Sequence, residues 1–139
     1  MFSLTNQVID PKQLTEAIRD SQSGAFASFE GWVRNHNHGK SVIALHYEAH
    51  NKLAVEVGQQ IMTQAIEKFA INHARCCHRI GQLAVGEVAI WVGVSANHRK
   101  AALAACEYIL NQVKAEVPIW KNEFYADGES GWVEANHCC

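Results

Sequence analysis

Pro118 constrains the fold of this chain most, because it separates two lysines that one helix would otherwise carry. The segment from Val113 to Glu123 reads VKAEVPIWKNE, with Lys114 before the proline and Lys121 after it. Proline lacks a backbone donor and disfavours helix at the preceding residue. Lys114 is therefore predicted in the last turn of a helix, and Lys121 on an extended segment that can fold back. Both ammonium groups could then enter one pocket. The alternative is that Lys114 interacts favourably with the helix dipole and that Lys121 is solvated.

The composition is typical of a single globular domain. The 139 residues are 48% hydrophobic and 19% charged, with a formal net charge of -2. This length suffices for one ordinary core, and the small net charge gives no reason to expect nucleic acid or a membrane as partner. The N-terminus has no basic region followed by an apolar run, and no segment approaches transmembrane length, so we expect a cytoplasmic protein.

The cysteines predict neither a disulfide framework nor a metal centre. They are Cys76, Cys77, Cys106, Cys138 and Cys139, an odd number without a secretion signal. Cys76 and Cys77 are neighbours on a predicted strand, where they would point to opposite faces and could hardly share one ion. Cys138 and Cys139 lie in the terminal segment 133–139, which we expect to be frayed. We therefore expect no bound metal at these residues. We also expect no cofactor.

The hydrophobic pattern predicts elements in the order α-β-β-α-β-β-α-β. Helices are predicted from the N-cap Asp10 to about Asp20, from Leu53 to Phe69, and from an N-cap near Asn97 to the lysine before Pro118. Strands are predicted at about 25–34, 43–47, 73–80, 87–95 and 118–125. Hairpins mixed with helices indicate an α+β fold, with a mixed, largely antiparallel sheet and flanking helices in a single domain over residues 1–139.

The same pattern predicts which side chains face the core. On the first two strands they are Ala25, Ala27, Phe29, Gly31 and Val33, then Ile43, Leu45 and Tyr47. On the last two helices they are Leu53, Val57, Ile61, Ala65 and Phe69, then Ala102, Cys106, Ile109 and Val113.

Several cations lie at the predicted ends of elements. Arg34 ends the first strand, and His98 and Arg99 open the last long helix, where free N–H donors and the dipole favour anions. An arginine in a first turn is unfavourable for the dipole, which favours a ligand role; the alternative is that it reaches solvent or a carboxylate. If these residues converge with Lys114 and Lys121, the pocket would suit an anionic small molecule, and a lysine there could act as base or nucleophile.

Five motifs occur in an order that points to a known family. They are FEGWVR at 29–34, LHYE at 45–48, HRIGQL at 78–83, the pair His98-Arg99, and KAEVPIWKNE at 114–123. Together they resemble the large subunit of molybdopterin synthase, the MoaE family, over about residues 24–132.

The resemblance implies a sulfurtransferase of molybdenum cofactor biosynthesis with a MoaE-like fold of the α/β hammerhead type. Members of the family transfer sulfur to cyclic pyranopterin monophosphate and so build the dithiolene of molybdopterin. The sulfur arrives as a thiocarboxylate on the C-terminal Gly-Gly of a small ubiquitin-like subunit. Two large subunits form a homodimer within a heterotetramer, and each site borrows the His-Arg pair of its neighbour. A module of the same fold that binds the small partner or a phosphorylated ligand without chemistry is the alternative.

Matched motif by motif, Lys114 and Lys121 would be the catalytic lysines and would also contact substrate. The other implied substrate contacts are Trp32, Val33, Arg34, Asn122 and Glu123, with His98 and Arg99 from the second chain. Core packing is the alternative for Trp32 and Trp120, and we favour it for Trp120.

Three positions depart from the family pattern. His50 is a changed residue that we expect at the surface. Asn122 stands where a second basic residue commonly follows the catalytic lysine. Asn136 lies where some members have an arginine, which puts one accessory phosphate contact in doubt.

Overall fold

The computed structural model describes residues 1–134, which form nine strands and three helices. In chain order they are β1 (Phe2–Thr5), α1 (Pro11–Ile18), β2 (Ala25–Trp32), β3 (His36–Asn37), β4 (Lys40–Ala49), α2 (Asn51–Lys68), β5 (His73–Arg79), β6 (Gly81–Ala84), β7 (Val88–Ala96), α3 (Arg99–Glu116), β8 (Ile119–Tyr125) and β9 (Ser130–Glu134). None of the helices in this part of the chain combines the length and apolar character needed to cross a bilayer.

The strands form two sheets. The first has the order β1-β5-β7-β2, in which β1 runs parallel to β5 and the other pairs are antiparallel. The second has the order β3-β4-β8-β9, with β6 also paired to β4, and its pairs are antiparallel. The predicted α+β fold with largely antiparallel strands is confirmed, and the strands divide between two sheets.

The first sheet is covered on both faces. Helices α2 and α3 pack on one face, where Val92 and Val94 belong to the same hydrophobic cluster as Ile109 of α3. Helix α1 packs on the other face, where Trp91 lies among Ile9, Ile18 and other apolar residues. The alternation predicted for 87–95 therefore separates two hydrophobic clusters, one on each side of β7.

Side-chain hydrogen bonds cap the first two helices. Asp10 accepts hydrogen bonds from the backbone N–H of Lys12 and Gln13, and Pro11 opens α1 as predicted. His50 is exposed, as expected, and its Nδ1 accepts from the backbone N–H of Leu53 at 3.2 Å, so this changed residue caps α2.

Two predictions about helices α2 and α3 are wrong. The buried residues of α2 are Ala54, Gly58, Ile61, Met62 and Ala65, and Val57 and Phe69 also pack against the core. The predicted buried side is therefore wrong at Leu53, which is exposed. The N-cap of α3 is His98, which makes no side-chain cap hydrogen bond, while Asn97 Oδ1 accepts instead from Asn72 Nδ2. In both cases the local sequence patterns favoured two options about equally. Packing against neighbouring elements then determined which residues of α2 are buried and which residue caps α3.

The predicted inward face of β4 is also partly wrong. Val42, Leu45 and Tyr47 are buried, but Ile43 is exposed. The register with β8 shifts between Val42 and Ala44, and this irregularity turns Ile43 to solvent. On β2, by contrast, the predicted inward face is confirmed, since Ala27, Gly31 and Val33 are buried and Phe26, Ser28 and Trp32 are exposed.

Strand β1 was not predicted, because four residues are too few to show a period. Its Phe2 is buried against α2 at Gly58, where an added Cβ would lie 2.2 Å from Phe2 Cγ. The absence of a side chain at position 58 thus lets β1 pack under the helix. At the other end, β9 includes the first two residues of the segment expected to be frayed. Asn136, Cys138 and Cys139 lie outside the described residues.

Candidate active site

Pro118 separates the two lysines as predicted. Helix α3 ends at Glu116, with Val117 extended, and β8 begins at Ile119. Lys114 lies in the last turn of α3 and is partly buried. Lys121 is the third residue of β8, and only 2% of it is exposed, so the alternative of a solvated Lys121 is wrong.

The ladder between β4 and β8 sets the surroundings of Lys121. Tyr47 lies opposite Lys121, and Leu45 lies opposite Glu123. Opposite residues of an antiparallel pair share one face, so these four side chains lie on the buried face of the second sheet. Glu123 is only 1% exposed. An ammonium and a carboxylate are therefore enclosed two residues apart on one strand, where each has lost most of its hydration.

A small cavity lies where the end of α3 meets both sheets. Its lining includes Trp32 and His78 from the first sheet, Tyr47 from the second, and Lys114 from α3. Its volume of about 20 Å³ leaves room for about one water molecule. In the isolated chain, this cavity is therefore too small to hold a substrate molecule.

His78 also lines this cavity. It is the first residue of the HRIGQL motif, and the sequence predicted no role for it. It is buried, and its Nδ1 lies 2.7 Å from the backbone carbonyl of Arg79. A carbonyl only accepts, so Nδ1 carries the proton and Nε2 keeps a lone pair. Burial, opposed by the hydrogen bond to Arg79 and aided by the charge of Lys114, lowers the pKa of His78 to about 4. The imidazole is therefore neutral at pH 7.

Arg34 is connected to Glu123 through a residue that the sequence did not indicate. Arg34 Nη2 donates to Asn37 Oδ1 at 3.1 Å, and Asn37 Nδ2 donates a short hydrogen bond to Glu123 Oε1. Asn37 lies between the predicted strands 25–34 and 43–47 and outside the five motifs. The sequence signal for this role was an asparagine beside a tight turn, because the side-chain amides of such residues also form hydrogen bonds with buried charged groups.

Trp32 and Trp120 are both largely exposed, at 63% and 48%. Trp32 lines the small cavity, and its Nε1 donates to Glu30 Oε1 at 2.9 Å. Core packing is therefore the wrong alternative for either tryptophan. Val33, in contrast, is buried in the main core and does not line this cavity.

Asn122 points away from the lysines. It neighbours Lys121 on β8, so its side chain is on the outer face, opposite His46 and Trp132. Its Oδ1 is buried and has no hydrogen-bond partner among residues 1–134. The structure therefore does not bring Asn122 together with the other predicted substrate contacts.

His98 and Arg99 are exposed at the N-terminal end of α3, while Lys114 lies in its last turn. At 1.5 Å per residue these positions are about 22 Å apart along the helix axis. A single chain therefore does not bring all five cations together. Arg34, Lys114 and Lys121 lie at one end of the molecule, and the His-Arg pair lies at the other.

A larger cavity of about 600 Å³ lies at that other end, where α1 stops and β2 begins. Arg19, Asp20, Phe26 and Ser95 are among its lining residues, and none of the predicted site residues is. This cavity is larger than the one beside α3, but Lys114 and the neutral His78 line the small one, and reactive groups identify a site better than volume does.

The described cysteines are buried thiols. Cys76 faces the core that α2 and α3 cover, and Cys77 faces the cluster around Trp91, so their side chains are on opposite faces as predicted. Burial raises the pKa of both, and it raises the pKa of Cys106 to about 11. Among residues 1–134, no group of three His, Cys, Asp or Glu side chains is arranged to hold a metal ion.

Comparison with known proteins gives one consistent answer. Residues 4–116 match the family model described as MoaE protein. The chain is 37% identical to the molybdopterin synthase catalytic subunit of Thermoplasma volcanium, over 93% of this chain and 94% of that protein. It is 39% identical to the protein of the same name from Bacillus subtilis, over 95% and 83%. The crystal structure of molybdopterin synthase from Staphylococcus aureus superposes with a TM-score of 0.89, at 34% identity and 94% coverage of both chains.

Proposed function

The chain belongs to the MoaE family, and on that basis we propose that it is the catalytic subunit of a molybdopterin synthase. In this role it transfers sulfur from the C-terminal thiocarboxylate of a small ubiquitin-like subunit to cyclic pyranopterin monophosphate. It does so in the cytoplasm and needs no cofactor of its own. The observation that carries the proposal is the enclosure of Lys121 on β8, with Lys114 in the last turn of α3 on the other side of Pro118.

The electrostatics of the site suit anionic reactants. The ammonium of Lys121 is almost entirely removed from water, and no carboxylate of the described residues lies within ion-pair distance of it. A desolvated cation is stabilised by an incoming anion more than a hydrated one is. A thiocarboxylate and a phosphate are both such anions. Trp32, which is exposed at the rim of the cavity, offers a ring on which a pterin can stack.

The separation of His98 and Arg99 from the lysines supports a homodimer. Within one chain the pair lies about 22 Å along α3 from Lys114, so it can serve a site only in a second copy. The outer face of the second sheet also exposes Trp120 and Trp132, which is typical of a surface that another subunit covers. We therefore propose two copies of this chain and two small subunits in a heterotetramer.

The proposal is tested by mixing the protein with the thiocarboxylated small subunit and cyclic pyranopterin monophosphate, and measuring molybdopterin. We expect product from the wild type, and little or none from Lys114→Ala and Lys121→Ala variants that remain folded. Lys100→Ala is the matched control, since Lys100 is an exposed lysine of the same helix. Wild-type turnover by Lys114→Ala would overturn its assignment. Binding of the small subunit without product from the wild type would instead indicate a docking module.

A further inference from the structure

We propose that Asn37 is a positioning residue, which holds Arg34 toward the anionic group of the substrate by linking it to the buried carboxylate of Glu123. This inference deepens the proposed function and rests on it for the identity of the substrate. Asn37 lies in β3 and is 4% exposed. It bridges two residues that the family resemblance implies as substrate contacts.

The first step is the need of Glu123 for a donor. Its carboxylate is buried, and its neighbour across the β4–β8 ladder is the apolar Leu45. A buried carboxylate is costly unless hydrogen bonds satisfy it. The Asn37 Nδ2 group donates such a bond to Oε1, so the side-chain amide of Asn37 compensates the charge of Glu123.

The second step is the orientation of that amide. A carboxylate accepts and cannot donate, so the NH2 group of Asn37 must face Glu123 and the carbonyl oxygen must face away. That oxygen accepts from Arg34 Nη2 at 3.1 Å. The charge of Glu123 thus determines which end of the amide Arg34 meets.

The third step concerns what Arg34 retains. A guanidinium has five N–H donors, of which Asn37 takes one. No carboxylate among residues 1–134 forms an ion pair with Arg34. A direct pair with Glu123 would neutralise the guanidinium, whereas the amide spacer orients it and leaves its positive charge for a phosphate, which arginine binds in bidentate geometry.

The backbone that carries Asn37 is held by a tight hairpin. Asn37 pairs with Lys40, and the two residues between them, His38 and Gly39, have φ values of 50° and 78°. Two successive positive φ angles are typical of the type I′ turn that closes two-residue hairpins. The bridge is therefore built on a defined element and not on a flexible loop.

The test is a double-mutant cycle between Asn37 and Arg34. Binding of cyclic pyranopterin monophosphate is measured by calorimetry on the complex with the unsulfurated small subunit, for the wild type, Asn37→Ala, Arg34→Ala and the double variant. We expect each single change to weaken binding about tenfold, and the double variant to bind no worse than Arg34→Ala. Additive losses, or wild-type affinity in Asn37→Ala, would overturn the proposal.

Two further variants separate positioning from folding. Asn37→Asp keeps the size of the side chain but pairs directly with Arg34 and repels Glu123, so we expect a raised KM with kcat nearly unchanged. His36→Ala, an exposed change on the same hairpin, should alter neither quantity. An Asn37→Asp variant that has both the melting temperature and the KM of the wild type would contradict the proposed role.

A last readout does not depend on the substrate. The mobility of the Arg34 guanidinium can be followed by ¹⁵N relaxation, and we expect it to increase in both Asn37 variants. If it does not increase, Asn37 does not position Arg34, whatever the activity. If it increases but the wild-type complex neither binds nor converts the pterin, the positioning role stands and the proposed function fails.

Discussion

The Tyr47 ring meets the His78 imidazole edge to face, with the ring centroids 4.9 Å apart. Tyr47 belongs to the second sheet and His78 to the first, so this contact joins the two sheets beside the cavity that Lys114 lines. Tyr47 also lies opposite Lys121. One aromatic ring therefore packs against the neutral histidine and lies opposite the enclosed lysine.

The buried His78 should make the protein sensitive to acid. Its pKa of about 4 in the folded state lies below the ordinary 6.5, so the unfolded chain binds more protons between these values. Stability must then fall as the pH drops from about 6.5 to about 4. Over this pH range we expect the free energy of unfolding of His78→Phe to fall by about 3 kcal/mol less than that of the wild type. Urea unfolding at pH 7, 5.5 and 4 measures the difference.

The control for this prediction is His36→Gln, because His36 is exposed. That variant should keep the pH dependence of the wild type. An identical slope in His78→Phe and the wild type would show that His78 is not the group responsible.

Replacing Lys121 by methionine should remove activity without loss of stability. The side chain is enclosed, and methionine keeps its length and apolar contacts while removing a charge that is costly to bury. We expect Lys121→Met to unfold at the wild-type temperature or above it and to make no molybdopterin. Calorimetry and the turnover assay test this together, with Lys100→Met as the exposed counterpart. A melting temperature lower by several degrees would mean that the ammonium stabilises the fold.

Mixing two inactive variants should restore part of the activity. If each site uses Lys114 of one copy and Arg99 of the other, a dimer of Lys114→Ala with Arg99→Ala contains one complete site. We expect about a quarter of wild-type activity after random reassociation, because half of the dimers are mixed and each of these has one working site. The measurement is turnover of differently tagged chains, with each variant alone as control. Purified mixed dimers without activity would rule out sharing of the site.

Replacing Gly58 by alanine should destabilise the protein, although alanine is the better helix former. The gain in helix propensity is about 1 kcal/mol, but the new Cβ would lie 2.2 Å from Phe2 Cγ, and overpacking costs about 1–3 kcal/mol. We expect a net loss of about 1 kcal/mol by urea unfolding. Gly131→Ala is the comparison, since a Cβ there meets nothing within 4 Å. A more stable Gly58→Ala variant would show that β1 moves without cost.

Local chemistry in the sequence was sufficient for several features. Asp10 and Pro11 specify the start of α1, and Pro118 ends α3 and begins an extended segment, because these residues act on their own backbone or the next few positions. The alternation in β2 and β7 likewise specifies two faces of a strand. The motifs that contain the lysines indicated the family, because the spacing of residues within a motif is fixed along the chain and does not depend on the tertiary structure.

Only the tertiary structure decided what these residues meet. The register between β4 and β8 turned Ile43 outward and buried Lys121 and Glu123 on one face. The hydrogen bond between Asn37 and Glu123 joins residues 86 positions apart. The length of α3 carried the His-Arg pair away from the lysines. A periodic pattern reports which side of an element is apolar, but burial, pairing and distance depend on the other elements that pack against it, and no local pattern contains them.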